Sequence, residues 1–416
     1  MASLLKTSTL NAVGLAVRML GGLLTNKLIA VVAGPGGIAL YGQFQSLATL
    51  LIGFTAAPGQ SGVVRLTAAN QGDLPAVYPL WSAALRTVLL FSLVAALLGM
   101  ACAPLIARDL LEQPALAWPV AIFFLCMPAA TVMTLLLSCA NGLSDIRAFV
   151  LAGVVTTISA SLLVVVGVLM QGISGAILAT GLGQIVSLLL TYACLRREPW
   201  FALEHFRLPV VRSDVRRVLG LASMTFAAAA VAPLMQLSIR HFMSGLFGWQ
   251  VVGYWQAVSR LGDIYVMLVT SLLSVYYLPR FSAIKALPEL RREVASFFKI
   301  VYPLFLLGYV CILVLKSHVL TAVYSSAFLP AAKLFPVQMA SDAVRVLSWL
   351  VGYLVMARGG ARFFVSIEIL VGALVVALAV AFMHVAGYGG VLYASLLGNI
   401  LYTGIFTVYL LRNGLL

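Results

Sequence analysis

Apolar positions along this chain come in long unbroken runs, where a soluble amphipathic helix would show a one-sided stripe. Runs of 18 to 25 apolar residues recur from end to end, separated by glycine, proline and charged residues. A helix of about 20 residues crosses the roughly 30 Å of bilayer hydrocarbon. Within that medium the backbone must satisfy its own hydrogen bonds, which favours helices. The pattern predicts an all-α integral membrane protein of about twelve spans, near 8–33, 38–68, 80–104, 117–141, 147–169, 172–195, 215–243, 249–278, 299–317, 334–357, 362–383 and 388–411. Gly34-Pro35-Gly36-Gly37 separates the first two, because glycine and proline punctuate helices. Pro58, Gly59 and Gly62 are expected to kink the second.

Composition agrees. Of 416 residues, 62% are hydrophobic and 9% charged, against about 25% charged in soluble domains, so a soluble fold is excluded. The N-terminal 32 residues carry Arg18 and Lys27 within the apolar run, and the run is too long for a secretory leader. They are read as the first span. The five cysteines lie in apolar segments without paired spacing and the four histidines are scattered, so no metal site, disulfide or cofactor is expected. With the N-terminus inside, 17 loop cations fall on the cytoplasmic side and four (Arg108, Arg240, Lys316, Lys333) on the other, as the positive-inside rule requires. The net charge of +14 therefore reflects topology, and no nucleic-acid partner is expected.

The longest polar stretch, Arg196 to Arg217, holds six arginines and divides the chain into expected six-helix lobes at 1–205 and 206–416. Tyr41-x-Gln43-x-x-Ser46 and Tyr254-x-Gln256-x-x-Ser259 repeat at an offset of 213 residues, each opening a helix after a glycine-rich turn. Parallel six-helix repeats of this kind are a transporter architecture with the substrate path between the halves.

Five cations (Arg18, Lys27, Arg65, Arg260, Arg345) and three acids (Asp263, Asp342, Glu368) remain within the apolar segments. Such charges are expensive in a bilayer and face an aqueous cavity or a partner. Arg18 lies on a polar stripe with Asn11 and Thr25, whereas Lys27 and Arg65 sit near helix ends, where snorkelling to the surface is the alternative. The eighth segment carries Gln256-x-x-Ser259-Arg260-x-x-Asp263, and the tenth carries Gln338-x-x-Ser341-Asp342-x-x-Arg345. Spacing is identical and the charges are exchanged, so adjacent helices would pair Arg260 with Asp342 and Asp263 with Arg345. That cluster either locks the second half together or lines a transport cavity, its acids serving as proton or cation carriers. Glu368 has no partner on its own helix and is a third coupling candidate. The surplus of cations points to an anionic cargo, since the planar guanidinium binds two phosphate oxygens and keeps its proton.

These residues carry a resemblance. Gly253-Tyr-Trp-Gln-Ala-Val-Ser-Arg-Leu-Gly-Asp263, continuing to Ser274-Val-Tyr-Tyr-Leu-Pro-Arg280, resembles the eighth helix of the Wzx-type oligosaccharide flippases of the multidrug/oligosaccharidyl-lipid/polysaccharide exporter superfamily. Gly352-Tyr-Leu-Val-Met-Ala-Arg358, preceded by Asp342 and Arg345, resembles their tenth, and Arg18, Lys27, Gly34-Pro-Gly and Arg65 match in order and spacing. The resemblance implies two six-helix lobes around a central basic cavity in the inner membrane. It implies an undecaprenyl-diphosphate-linked oligosaccharide as cargo, moved from the cytoplasmic to the periplasmic leaflet by cation-coupled alternating access. Substrate would meet Arg18, Lys27, Arg65, Arg260 and Arg345, with Gln43 and Gln256 as neutral polar contacts. Asp263, Asp342 and Glu368 would couple the ion, and membrane lipid, a polysaccharide polymerase and a chain-length regulator would be partners. The uncharged Tyr41-Gly-Gln-Phe-Gln45 departs from relatives that carry a basic residue there, which points to a different sugar. Two other classes compete: a MATE-like drug or metabolite antiporter, which would have a more acidic cavity, and a membrane enzyme. The enzyme is disfavoured because the longest outer loops, near 108–118 and 316–333, are short and poor in acids.

Overall fold

The computed structural model describes residues 2–415, except the side chains of residues 2–13, 61, 221–225, 227–228 and 361–362. Asn11, at one end of the Arg18 stripe, lies outside the described side chains. There is no strand among the described residues. Among the described residues eight apolar helical runs are long enough to cross a membrane. A continuous 50-residue helix would be about 75 Å long, more than twice the hydrocarbon thickness, so the longest runs must fold back. Run 14–69 breaks at Gly34, run 146–195 at Gln171 and Gly172, and run 363–412 at Gly387. Together with the 36-residue helix Arg212–Phe247, the runs make the twelve spans of a multi-pass membrane protein.

Packing divides the chain into two compact units, 1–33 with 40–234, and 34–39 with 235–416. The second border falls inside Arg212–Phe247, some thirty residues past the 205/206 border expected from helix counting. The reason is local: the polar linker is folded onto the first unit. Trp200 and Phe206 are buried against Trp81, and Trp200 Nε1 donates to Asp145 Oδ2 at 3.1 Å. Ser82 Oγ donates to the His205 carbonyl at 3.0 Å and accepts from Leu208 N at 3.1 Å, while Arg86 donates to the Leu208 carbonyl at 3.1 Å.

The first unit holds most of α1 (Ala2–Ala56), then α2 (Ser61–Ala69), α3 (Tyr78–Leu105), α4 (Ala117–Gly142), the hairpin α5 (Ile146–Leu195) and the first part of α6 (Arg212–Phe247). The expected kink of the second span is a 3₁₀ turn at Ala57–Gly59, where Pro58 cannot continue the hydrogen-bond ladder. Interior faces mix alanine, serine and glycine with valine, leucine and aromatic side chains, and the small residues let membrane helices approach closely.

The second unit holds the end of α6, α7 (Trp249–Leu272), α8 (Leu278–Ala283), α9 (Leu287–Ser296), α10 (Tyr302–Val323), α11 (Phe335–Ala357), α12 (Ala361–Ala386) and α13 (Gly390–Arg412). Helix α11 is its centre and packs on α7, α8, α10, α12 and α13. The six residues Gly34–Ala39 also belong to it. Gly34 takes φ 66°, ψ −166°, a conformation only glycine adopts freely, and Pro35 then opens a new helix from a favoured first-turn position. A β-carbon at Gly253 would fall onto the Pro35 carbonyl, so glycine is required there for the turn to seat on α7.

Candidate functional site

A polar cluster of the second unit lies where α7, α10 and α11 meet. Asp342, 1% exposed, is reached from three directions. Its Oδ2 accepts from Tyr309 Oη on α10 at 2.9 Å and from Gln338 Nε2, one turn earlier on α11, at 2.9 Å. Its Oδ1 faces Arg345 Nε at 3.3 Å; the contact is an ion pair without hydrogen-bond alignment. The other end of the same guanidinium, Nη2, donates to Asp263 Oδ1 on α7 at 2.9 Å. Ser259 Oγ donates to Gln338 Oε1 at 3.3 Å, completing a tie between the two repeated motifs. Helices α7 and α11 meet this closely because residue 262 is glycine: a β-carbon there would overlap Asp342 Oδ2. Beside Asp342 lies a pocket with room for about one water, lined by Leu261, Tyr265, Tyr309, Gln338 and Met339 among others.

Of the two pairs expected from the exchanged motifs, the structure forms one. Asp263 meets Arg345, but Asp342 takes Arg345 as well, three residues along its own helix. Tyr309 and Gln338 hold its other oxygen, in place of Arg260. The physical reason is reach. One guanidinium has five N–H groups in a fixed fork, so Arg345 spans a carboxylate on its own helix and one across the gap. Arg260 is half-buried on α7 and has no hydrogen bond or ion pair to any described residue. The cluster is therefore a triad of two carboxyl groups and one guanidinium, and Arg260 stands near it as a cation outside the pairing.

Glu368 sits apart from the triad, in the seam of α12 and α13, where Tyr402 Oη donates to its Oε2 at 3.2 Å. Helix α13 links that seam to α11: Asn399 Nδ2 donates to Ser341 Oγ at 3.1 Å, and Ser348 Oγ lies 2.7 Å from Thr403 Oγ1.

Gln256 is buried and both ends of its amide are engaged. Its Nε2 donates to the Ile38 carbonyl at 3.0 Å, and its Oε1 accepts from Arg240 Nε at 2.8 Å. Arg240, placed on the outer side by charge counting, is instead 3% exposed, with its guanidinium 5.8 Å from the Trp255 ring centroid. This residue was missed because nothing in the spacing couples it to Gln256, sixteen residues later across the turn at Gly248.

In the first unit, Arg18 is exposed and its Nε donates to the Gly14 carbonyl at 3.3 Å. Lys27 is half-buried and Arg65 exposed. Gln43 is fully buried, and the neighbouring Tyr41 Oη lies 3.1 Å from Thr180 Oγ1. No contact gathers Arg18, Lys27 and Arg65 into one cluster among the described residues. Nor does any group of three or more histidine, cysteine or acidic residues there have metal-holding geometry.

The arrangement of helices is that of the MOP-superfamily transporters. A multidrug resistance MATE family transporter in its inward-facing conformation superposes with a TM-score of 0.78 at 16% identity, over 95% of this chain and 97% of that one. A MATE transporter of Vibrio cholerae gives 0.69 at 15% identity, over 99% and 96%, and a MOP superfamily transporter of Pyrococcus furiosus 0.67 at 14%, over 97% and 94%. At such identities the likeness establishes the fold alone. Sequence narrows it further: the chain belongs to the polysaccharide biosynthesis protein family, whose model matches residues 4–285. The lipid III flippases of Escherichia coli and Shigella flexneri are each 25% identical to it over 367 residues, 88% of this chain and 88% of theirs.

Proposed function

We propose that the protein flips a lipid-linked, diphosphate-bearing oligosaccharide from one membrane leaflet to the other. Its similarity to lipid III flippases along most of both chains supports the class of cargo. The MOP transporter fold is compatible with alternating access. The observation in the structure that carries the reading is the inequality of its two arginines. Arg345 is held by two carboxylates, whereas Arg260 has no acceptor among the described residues. An arginine kept in an apolar segment without a counter-ion needs an anion from elsewhere, and a diphosphate suits its fork. Arg18 and Arg65 are exposed side chains without a carboxylate partner among the described residues and serve the same cargo. Asp342, Asp263 and Glu368 are the acids through which a coupling ion acts. A cationic drug as cargo fits less well, because both acids of the triad already face the Arg345 guanidinium.

The test is genetic and chemical. In a strain lacking the gene, an undecaprenyl-diphosphate-linked oligosaccharide accumulates on the cytoplasmic side, and its analysis identifies the repeat unit. Unchanged lipid-linked glycans, with altered sensitivity to cationic drugs, would assign the protein to drug export.

A further inference from the structure

Between α7 and α10 the chain carries a polar, basic stretch. Helix α9, ten residues or about 15 Å of helix, is the polar N-terminal end of the continuous helical run Leu287–Val323, whose apolar length lies in α10. It is entered from α8 through an extended turn at Ile284–Ala286 and runs into a π-helical turn at Phe297–Val301. Leu290 and Phe297 are fully buried and share the inward face with Glu293. The Glu293 carboxylate is held by Arg280 Nε at 2.7 Å, and that guanidinium also lies 5.6 Å from the Tyr276 ring centroid. With Glu293 neutralised from within, the outward charge comes from elsewhere: Lys285, Arg291, Arg292 and Lys299 are exposed, against the single exposed acid Glu289. Phe298, Ile300 and Leu304 follow immediately and are 45, 67 and 68% exposed.

We infer that this elbow lies in the membrane interface and that its basic rim binds the headgroups of anionic phospholipids. The rim has a surplus of three positive charges within fifteen residues, and it adjoins exposed side chains that only acyl chains would solvate. The cations sit at the polar end of a spanning helical run, and juxtamembrane lysines and arginines attract anionic lipid. The adjoining apolar residues argue for lipid over an acidic soluble protein, which would leave Phe298, Ile300 and Leu304 uncovered. The elbow packs through α8 against α11, so bound lipid braces the helix that carries Asp342 and Arg345.

The test uses the full-length protein, purified in mild detergent and titrated with phosphatidylglycerol or phosphatidylcholine under native mass spectrometry. Wild type should retain phosphatidylglycerol preferentially, and the preference should weaken with salt. Arg291→Gln with Arg292→Gln should lower phosphatidylglycerol affinity roughly twenty- to thirtyfold, from about fivefold per cation. Arg291→Lys with Arg292→Lys should keep it, because a diffuse headgroup field reads charge and not fork geometry. Arg196→Gln with Arg197→Gln removes equal charge at another exposed site and should leave the elbow's affinity in place. Equal retention of the two lipids by wild type would overturn the inference, as would unchanged affinity in the elbow variant or an equal loss in the control. So would an elbow variant that keeps its lipid but loses a co-purifying acidic protein. The variants change only exposed side chains, and a matched melting temperature confirms that each is folded.

Discussion

Removing Arg345 or Arg260 deletes one cation from the same neighbourhood, yet the two changes should behave differently. Arg345→Ala leaves Asp342 with two neutral hydrogen-bond donors and no counter-ion at 1% exposure. Breaking a buried pair from one side costs about 3–5 kcal/mol. The second partner adds less, since the Asp263 side chain is 47% exposed and solvent screens it. Arg260→Ala removes no hydrogen bond or ion pair to a described residue, and its stability cost should stay near the roughly 0.5 kcal/mol of an unengaged side chain. Transport should nevertheless fall at least tenfold if that guanidinium meets the cargo. Melting in detergent, followed by tryptophan fluorescence or size-exclusion recovery, measures the first quantity; glycolipid export in cells measures the second. Arg345→Ala should melt several degrees lower and Arg260→Ala within a degree or two of wild type. Adding Asp342→Asn to Arg345→Ala removes the stranded charge and should recover most of the loss, because eliminating both partners is cheaper than eliminating one. Equal destabilisation by Arg260→Ala and Arg345→Ala, or no rescue in the double variant, would refute the triad.

Other outcomes follow from the same contacts. Gln256→Ala removes two buried hydrogen bonds, from Arg240 Nε and to the Ile38 carbonyl, each worth about 0.5–1.5 kcal/mol or more, and should lower the melting temperature; Gln256→Glu should partly recover it by keeping the acceptor for Arg240 Nε. Gly253→Val should be poorly produced, since its side chain meets the Pro35 backbone, while Gly253→Ala should be milder though still below wild type. Glu368→Gln keeps an acceptor for Tyr402 and should melt within a degree or two of wild type, yet export should stop responding to dissipation of the ion gradient if this carboxyl couples transport. A cysteine at Ser213, exposed in the linker, should resist an impermeant thiol reagent in intact cells and react once the membrane is opened; labelling from outside would reverse the topology.

The spans and their breaks were readable from the chain because each is a property of one segment. Apolar length sets a span, and Gly34, Pro58 and Gly387 interrupt it where they stand. The Asp263–Arg345 contact was readable because both residues sit in motifs of equal spacing on adjacent helices. What escaped depends on distances that spacing does not contain. Asp342 took its own helix's arginine, three residues away, and a tyrosine from α10, so Arg260 was left out. Arg240 passed for a loop charge because hydropathy counts residues and cannot register that Trp255 and Gln256 enclose it. The linker passed for the border between lobes because its arginines are conspicuous, while Trp200 and Phe206, which fasten it to α3, are not. The Gly34–Ala39 turn was legible as a break, though its membership in the second unit rests on the small size of residue 253, a signal without polarity or charge.

The central claim, that this chain moves a diphosphate-linked glycan across the membrane using Arg260 as an anion contact, is tested most directly by reconstitution. Purified protein in sealed liposomes would be given an undecaprenyl-diphosphate oligosaccharide in the outer leaflet, with an imposed ion gradient, and protection of the glycan from an added glycosidase would be followed. Wild type should protect the glycan progressively, whereas Arg260→Ala, at an unchanged melting temperature, should fall at least tenfold in rate. Protection by Arg260→Ala at the wild-type rate, or no protection by wild type under either sign of the gradient, would contradict the account.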